Sequence, residues 1–180
     1  MVNLGYDDET IEYLGQHFIG TPLWEEFDRG ARPHNEIFAD LCKLHPAYET
    51  QMRTFLDTIG DAINTRPYVE SWLSDLKSKG YELYILSNWP QPLYDSEKDN
   101  KLSFRKYMDG CIWSCQVKCI KPEPAIYKKL IKQFHLDPSR CVFLDDRQTN
   151  LDAAAKLGMH TILAQDHSYA IEQLKTLGIK

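Results

Sequence analysis

The first third of the chain carries its apolar residues at helical spacing and shows no alternating stretch. Ile11, Leu14 and Phe18 share one face, which predicts a helix over 8–18 with Asp7 or Asp8 as its N-cap. Gly20, Thr21 and Pro22 break that pattern, and a second helix is expected over 23–29, closing at Gly30. A third is expected over 34–44 and a fourth over 47–59.

The pattern changes after Pro67. An amphipathic stretch over 69–79, closed by Gly80, leads into the short β-rich run YELYILSN at 81–88. Residues 104–108 read as helical and 111–115 as a second strand. Pro122 and Pro124 set the start of a helix over 124–134. CVFLDD at 141–146 reads as a third strand, followed by a helix over about 150–157 that stops at Gly158. HTILAQD at 160–166 is a fourth strand, and a last helix covers about 169–177. Strands alternating with helices of this length predict parallel βαβ units, hence a Rossmann-like α/β fold. Two regions follow: a helical one over 1–66 and an α/β core over 67–180.

Composition narrows the function classes. Of 180 residues, 43% are hydrophobic, enough for one compact core with a small appended lobe. The net charge is -5 and the basic residues are scattered, so no nucleic-acid footprint is expected. No apolar run approaches the roughly 18 residues of a membrane span, and the acidic start MVNLGYDDET does not look like a signal peptide. A cytoplasmic protein with reduced thiols is expected. Cys111, Cys115 and Cys119 stand four apart, a poor zinc spacing; Cys111 and Cys115 are expected on one strand face and Cys119 in the following loop.

Three segments carry candidate chemistry. Asp145-Asp146 follows an apolar strand, and two adjacent carboxylates repel unless a cation or a proton intervenes. Oxygen ligands of this kind suit Mg²⁺, although an acidic helix start has the same sequence appearance. Ser87-Asn88 ends another strand and offers a hydroxyl and an amide to a phosphoryl oxygen, or forms an ordinary turn. Lys121 lies in the proline-held loop Ile120-Lys121-Pro122-Glu123-Pro124, placed to neutralise an anion, or is a plain surface lysine. The strand-end positions matter, because open parallel sheets bind ligands at that edge. Trp24, Phe27, Phe38 and Phe55 read as core or as the lining of a substrate lid. Arg29 and Arg147 are candidates for the distal part of a phosphate ester, and the six histidines show no metal or triad spacing.

In this order the three segments resemble motifs two, three and four of the haloacid dehalogenase-like (HAD) hydrolase superfamily, over about 81–166. The run FLDDRQTNLDAAAKLGMHTILAQD is similar to the subgroup containing the N-terminal phosphatase domain of epoxide hydrolases and bacterial sugar-phosphate phosphatases. Pro22, Trp24 and Asp28-Arg29-Gly30 resemble that subgroup's small helical cap. The resemblance implies Mg²⁺-dependent hydrolysis of a small phosphorylated metabolite. Ser87 would bond the phosphoryl group, Asn88 would orient it, and Lys121 would bridge phosphate and nucleophile. Asp145 and Asp146 would serve the metal, Asp146 directly or through water and Asp145 by placing Lys121 or a metal water, and Asn150 would brace the loop.

The family's first motif, an Asp-x-Asp ending a central strand between those of Ser87 and Asp145, does not occur in this sequence. By the resemblance, its first Asp attacks phosphorus and its second moves the proton. Asp7-Asp8 reads as a helix start, and Asp28 and Asp57 lie in helical patterns. Little or no turnover is expected. Three explanations stay open: an internal piece of a longer protein, a true start with a sheet that closes or borrows a strand, or a member kept for binding. A non-catalytic phosphate-binding module and a dehalogenase are the alternative functions. An incomplete sheet would also favour pairing of two copies.

Overall fold

The computed structural model describes residues 4–62, 65–97 and 102–179. The expectation built on the first three residues lies outside that range. Four helices come first: α1 (Asp8–His17), α2 (Pro22–Arg29), α3 (His34–Leu44) and α4 (Glu49–Thr58). Asp7 caps α1 by accepting from the Thr10 N–H, and Thr21 caps α2 with Pro22 in its first turn. The predicted fourth helix begins instead as a 3-10 turn, Pro46–Tyr48, because a proline there sets the backbone before α4 starts. Leu14, Phe18, Phe27, Ile37, Leu41, Met52 and Phe55 bury one apolar core among these helices. Phe18 meets Trp24 and Phe55 edge-on at 5.3 and 5.7 Å. The aromatics flagged in the sequence therefore pack this core, and Phe27 and Phe38 also face a cavity of about 780 Å³ shared with His34, Arg53, Pro90 and Leu93.

The remainder alternates as expected: α5 (Val69–Ser78), β1 (Tyr84–Ser87), α6 (Gln91–Glu97), β2 (Gly110–Trp113), α7 (Ser114–Val117), α8 (Pro124–Phe134), β3 (Val142–Asp145), α9 (Gln148–Ala155), β4 (His160–Leu163) and α10 (His167–Thr176). Helix α6 has no counterpart in the sequence reading; Pro90 and Pro92 obscured its start. Among the described residues β1 is the first strand in the chain. All pairing is parallel, β1 with β2 from Tyr84↔Gly110 to Ser87↔Trp113, and β3 with β4 from Val142↔His160 to Asp145↔Leu163. The two pairs form separate two-stranded sheets; β1 and β3 make no ladder with each other.

The second strand stops earlier than expected, which corrects the placing of Cys115. Buried Ser114 donates from Oγ to the Asp28 carbonyl at 2.6 Å and accepts from the Trp89 N–H at 2.8 Å. Those bonds accompany a turn into α7, so Cys115 sits on a helical turn and not on a strand face. It is fully buried against Gly30, which closes α2 at φ 62°; a Cβ on Gly30 would come within 3.2 Å of Cys115. All five cysteines are free thiols. Among the described residues no helix is long and apolar enough to cross a membrane.

Candidate active site

Ser87 and Asp145 are the last residues of β1 and β3, so these strands deliver their polar ends to one rim. Lys121 joins them. Its ammonium donates to Asp145 Oδ2 at 2.7 Å, with side chains only 13% and 4% exposed. Its backbone is clamped by Asn88, whose Oδ1 accepts from the Lys121 N–H at 2.8 Å and whose Nδ2 donates to the Lys121 carbonyl at 3.0 Å. The amide of Asn88 is thus spent on holding the lysine loop. Ser87 makes one long contact, 3.4 Å to the Asn88 carbonyl, which leaves its hydroxyl able to turn toward a ligand.

On the other side of Lys121, Asp145 Oδ1 accepts from Asn150 Nδ2 at 2.8 Å and from the Arg147 N–H at 2.9 Å. Burial alone would raise the Asp145 pKa, but the Lys121 bond and charge, with the Arg147 and Asn150 donors, hold it below the usual carboxylate value. Asn150 is itself buried at the start of α9, with its carbonyl accepting from the Tyr127 hydroxyl at 2.9 Å. The Asn150 Oδ1 is buried without a partner. Asp146, next in sequence, is exposed. The neighbouring carboxylates thus occupy opposite environments: Asp145 has three donors, whereas Asp146 faces solvent at the rim.

Residues from α2 close the other side. Arg29 is not available to a ligand: it holds Glu123 in a two-pronged ion pair at 2.8 and 2.6 Å, and Glu123 also accepts from the Ile120 N–H at 3.3 Å. This ties α2 to the loop that carries Lys121. Lys118 adds a bond to the Gly30 carbonyl at 2.5 Å. Asp28 is buried, and burial together with Glu25 pushes its pKa up to about 7, against the pull of Arg147, Lys121 and a hydrogen bond from Trp24. None of these joints has a local sequence signal, since Arg29 and Glu123 stand 94 positions apart.

A hydroxyl and two carboxylates at the ends of parallel strands, with the Lys121 ammonium held against one of them, stand on one rim of a Rossmann-like α/β protein. A model of haloacid dehalogenase-like hydrolases matches residues 6–158, and the chain belongs to that family. The bifunctional epoxide hydrolase 2 of Rattus norvegicus is 39% identical over 116 residues, 61% of this chain but 20% of the rat protein's length. A phosphorylated carbohydrates phosphatase of Thermotoga maritima is 28% identical over 67% of this chain and 54% of its own. Among solved structures, a predicted HAD-like family hydrolase from Porphyromonas gingivalis superposes with a TM-score of 0.72 at 19% identity, covering 95% of this chain and 85% of that one. A HAD family enzyme from Bacteroides thetaiotaomicron, solved with magnesium and inorganic phosphate, gives 0.66 at 21% identity over 90% and 85%.

Proposed function

We propose that this chain carries the phosphate- and magnesium-binding part of a small-molecule phosphohydrolase and that it turns over little or no ester by itself. The observation that carries the reading is the Asn88–Lys121–Asp145–Asn150 network, which fixes an ammonium at the rim beside Ser87 and Asp146. Lys121 would neutralise a phosphoryl oxygen, and the Ser87 hydroxyl would donate to another. Asp146 is the better metal ligand of the acidic pair, because the Asp145 oxygens already accept three hydrogen bonds. Mg²⁺ typically takes one or two protein carboxylates and completes its shell with water and phosphate oxygens. Bound there, the ion would shield the charge between phosphate and carboxylates.

Turnover needs an attacking group, and the sequence has no Asp-x-Asp. The magnesium and phosphate complex of the Bacteroides thetaiotaomicron structure and the phosphatase names among the relatives support the choice of ligands. In the same reading, 1–66 act as the cap over the 67–180 core, and the ligand is a small phosphorylated metabolite. The test is a thermal shift with inorganic phosphate and Mg²⁺ on the wild-type chain and on Ser87→Ala, beside a p-nitrophenyl phosphate assay. A phosphate-dependent rise in Tm that Ser87→Ala diminishes, without turnover, supports the reading. Turnover at an ordinary rate that Lys121→Ala abolishes would reveal a nucleophile and overturn the inactivity.

A further inference from the structure

One hydroxyl pins two backbone segments beside the rim. Ser114 Oγ donates to the Asp28 carbonyl at 2.6 Å and accepts from the Trp89 N–H at 2.8 Å. The chain neighbours of those two residues, Phe27 and Pro90, line the cavity of about 780 Å³ shared by α2, α3, α4 and α6. Trp89 directly follows Ser87-Asn88, and Asp28 feels the charges of Lys121 and Arg147. The cavity therefore starts at the rim and extends to α3 and α4, with a volume typical of small-molecule sites.

Its wall changes character with depth. Phe27, Pro90 and Leu93 are buried and Phe38 half-buried, whereas Glu49, Arg53 and Asp57 are exposed and stand at the mouth. Glu49 and Arg53 pair with each other at 3.2 Å, and the Arg53 guanidinium lies over the Phe38 ring at 4.6 Å. His34 is different. Its ring packs against Phe27 at 4.6 Å, and its Nε2 is buried without a hydrogen-bond partner. Burial and the Lys118 charge lower its pKa against the opposing pull of Asp95, so the imidazole is neutral at pH 7 and Nε2 is a neutral donor or acceptor. A buried ring nitrogen left unpaired costs free energy that a ligand group would recover.

We propose that this cavity holds the alcohol part of the phosphate ester and selects an aryl phosphate over a polyol phosphate, with His34 Nε2 bonding a polar atom on the ring. The inference rests on the phosphate-binding reading, which supplies the anchor at Lys121 and Ser87. Phenylalanine, leucine and proline surfaces favour a ligand that buries ring area, whereas the hydroxyls of a polyol would lose water along the same wall without finding partners.

Titration calorimetry of the whole 180-residue chain in Mg²⁺ tests it. The probes are inorganic phosphate, ribose phosphate, naphthyl phosphate and naphthyl phosphates with one ring hydroxyl. Naphthyl phosphate should bind at least about tenfold tighter than inorganic phosphate, and ribose phosphate within about twofold of it. Ala39→Phe, which fills the cavity from an exposed position, should remove the naphthyl gain and leave inorganic phosphate unchanged. One of the hydroxylated probes should gain about a further threefold or more, and His34→Phe should erase that step alone. Naphthyl phosphate binding no tighter than inorganic phosphate, or ribose phosphate matching naphthyl phosphate, overturns the inference and leaves the phosphate site standing. A hydroxyl gain that is absent, or that survives His34→Phe, overturns the role of His34. Naphthyl phosphate binding that is lost in Ala39→Phe but unmoved by Ser87→Ala, with no binding of inorganic phosphate, upholds the cavity and overturns the rim reading. No binding of any probe overturns both.

Discussion

The N-terminal helices and the strand-bearing region solve the same problem in different ways. Helices α1–α4 bury Leu14, Ile37, Leu41 and Met52 almost completely, each at 1% exposure or less, by packing on one another. The strand region leaves the middle of β3 half-buried and adds polar joints between its strand pairs: Asn88 to the Lys121 backbone, and Lys121 to Asp145. A helix satisfies its backbone internally and needs only one apolar face covered, whereas a strand must pair its backbone with a neighbour. The first region therefore buries its core among its own helices, and the second combines an apolar core with polar joints.

The largest single effect is expected at the joint. Lys121→Ala would leave Asp145 buried without its counter-ion, and breaking such a pair costs about 3–5 kcal/mol. The double variant Lys121→Met/Asp145→Asn keeps an acceptor for Arg147 and Asn150 and should recover part of that loss in urea unfolding. Equal losses in the single and double variants would mean that the ion pair is not what joins the halves. In the helical region the counterpart is Ile37→Ala, which creates a cavity at a fully buried position and should cost about 3 kcal/mol. A smaller loss at Ile37 than at half-buried Phe143 would reverse the comparison.

How much of this was legible in the sequence follows the same divide. Periodicity placed most helices and all four strands to within a few residues, because each is fixed by local spacing and by caps such as Asp7 and Thr21, but it missed α6 and α7. Strand ends and a proline-held loop marked Ser87, Lys121 and Asp145-Asp146 locally as candidates, and the structure brings Lys121 onto Asp145 and Asn150 onto Asp145. Other contacts had no such mark. Asn88 turned out to hold the Lys121 backbone, and Arg29 to hold Glu123, both partnerships between residues far apart in sequence. Cys115 was misplaced for a similar reason: β2 gives way to α7 beside the bonds of Ser114 to Asp28 and Trp89, distant residues that the spacing of the cysteines does not reveal.

Asp28 lies between the two regions and gives the comparison a pH signature. Its folded pKa of about 7 is above that of an unfolded aspartate, so the unfolded chain loses this proton first as pH rises. Its favourable contribution is complete below the unfolded value and declines until pH passes the folded value. Stability should therefore fall by about 1.4 kcal/mol per pH unit between about pH 4 and 7 from this group alone. Asp28→Asn should flatten that slope in urea midpoints measured across the range. An unchanged slope would place the Asp28 carboxyl in water rather than between α2 and the rim.

The smallest effect is expected in the middle of β3. Phe143 packs edge-on against Tyr127 at 5.6 Å and lies under the Lys121 ammonium at 5.6 Å, but its residue is only half-buried. Truncating a fully buried phenylalanine costs about 3–5 kcal/mol, so Phe143→Ala in the chain alone should cost roughly 1–2 kcal/mol. Urea unfolding of wild type and Phe143→Ala measures the loss. A full-sized loss would mean that β3 is already covered, and the contrast between the two regions would disappear.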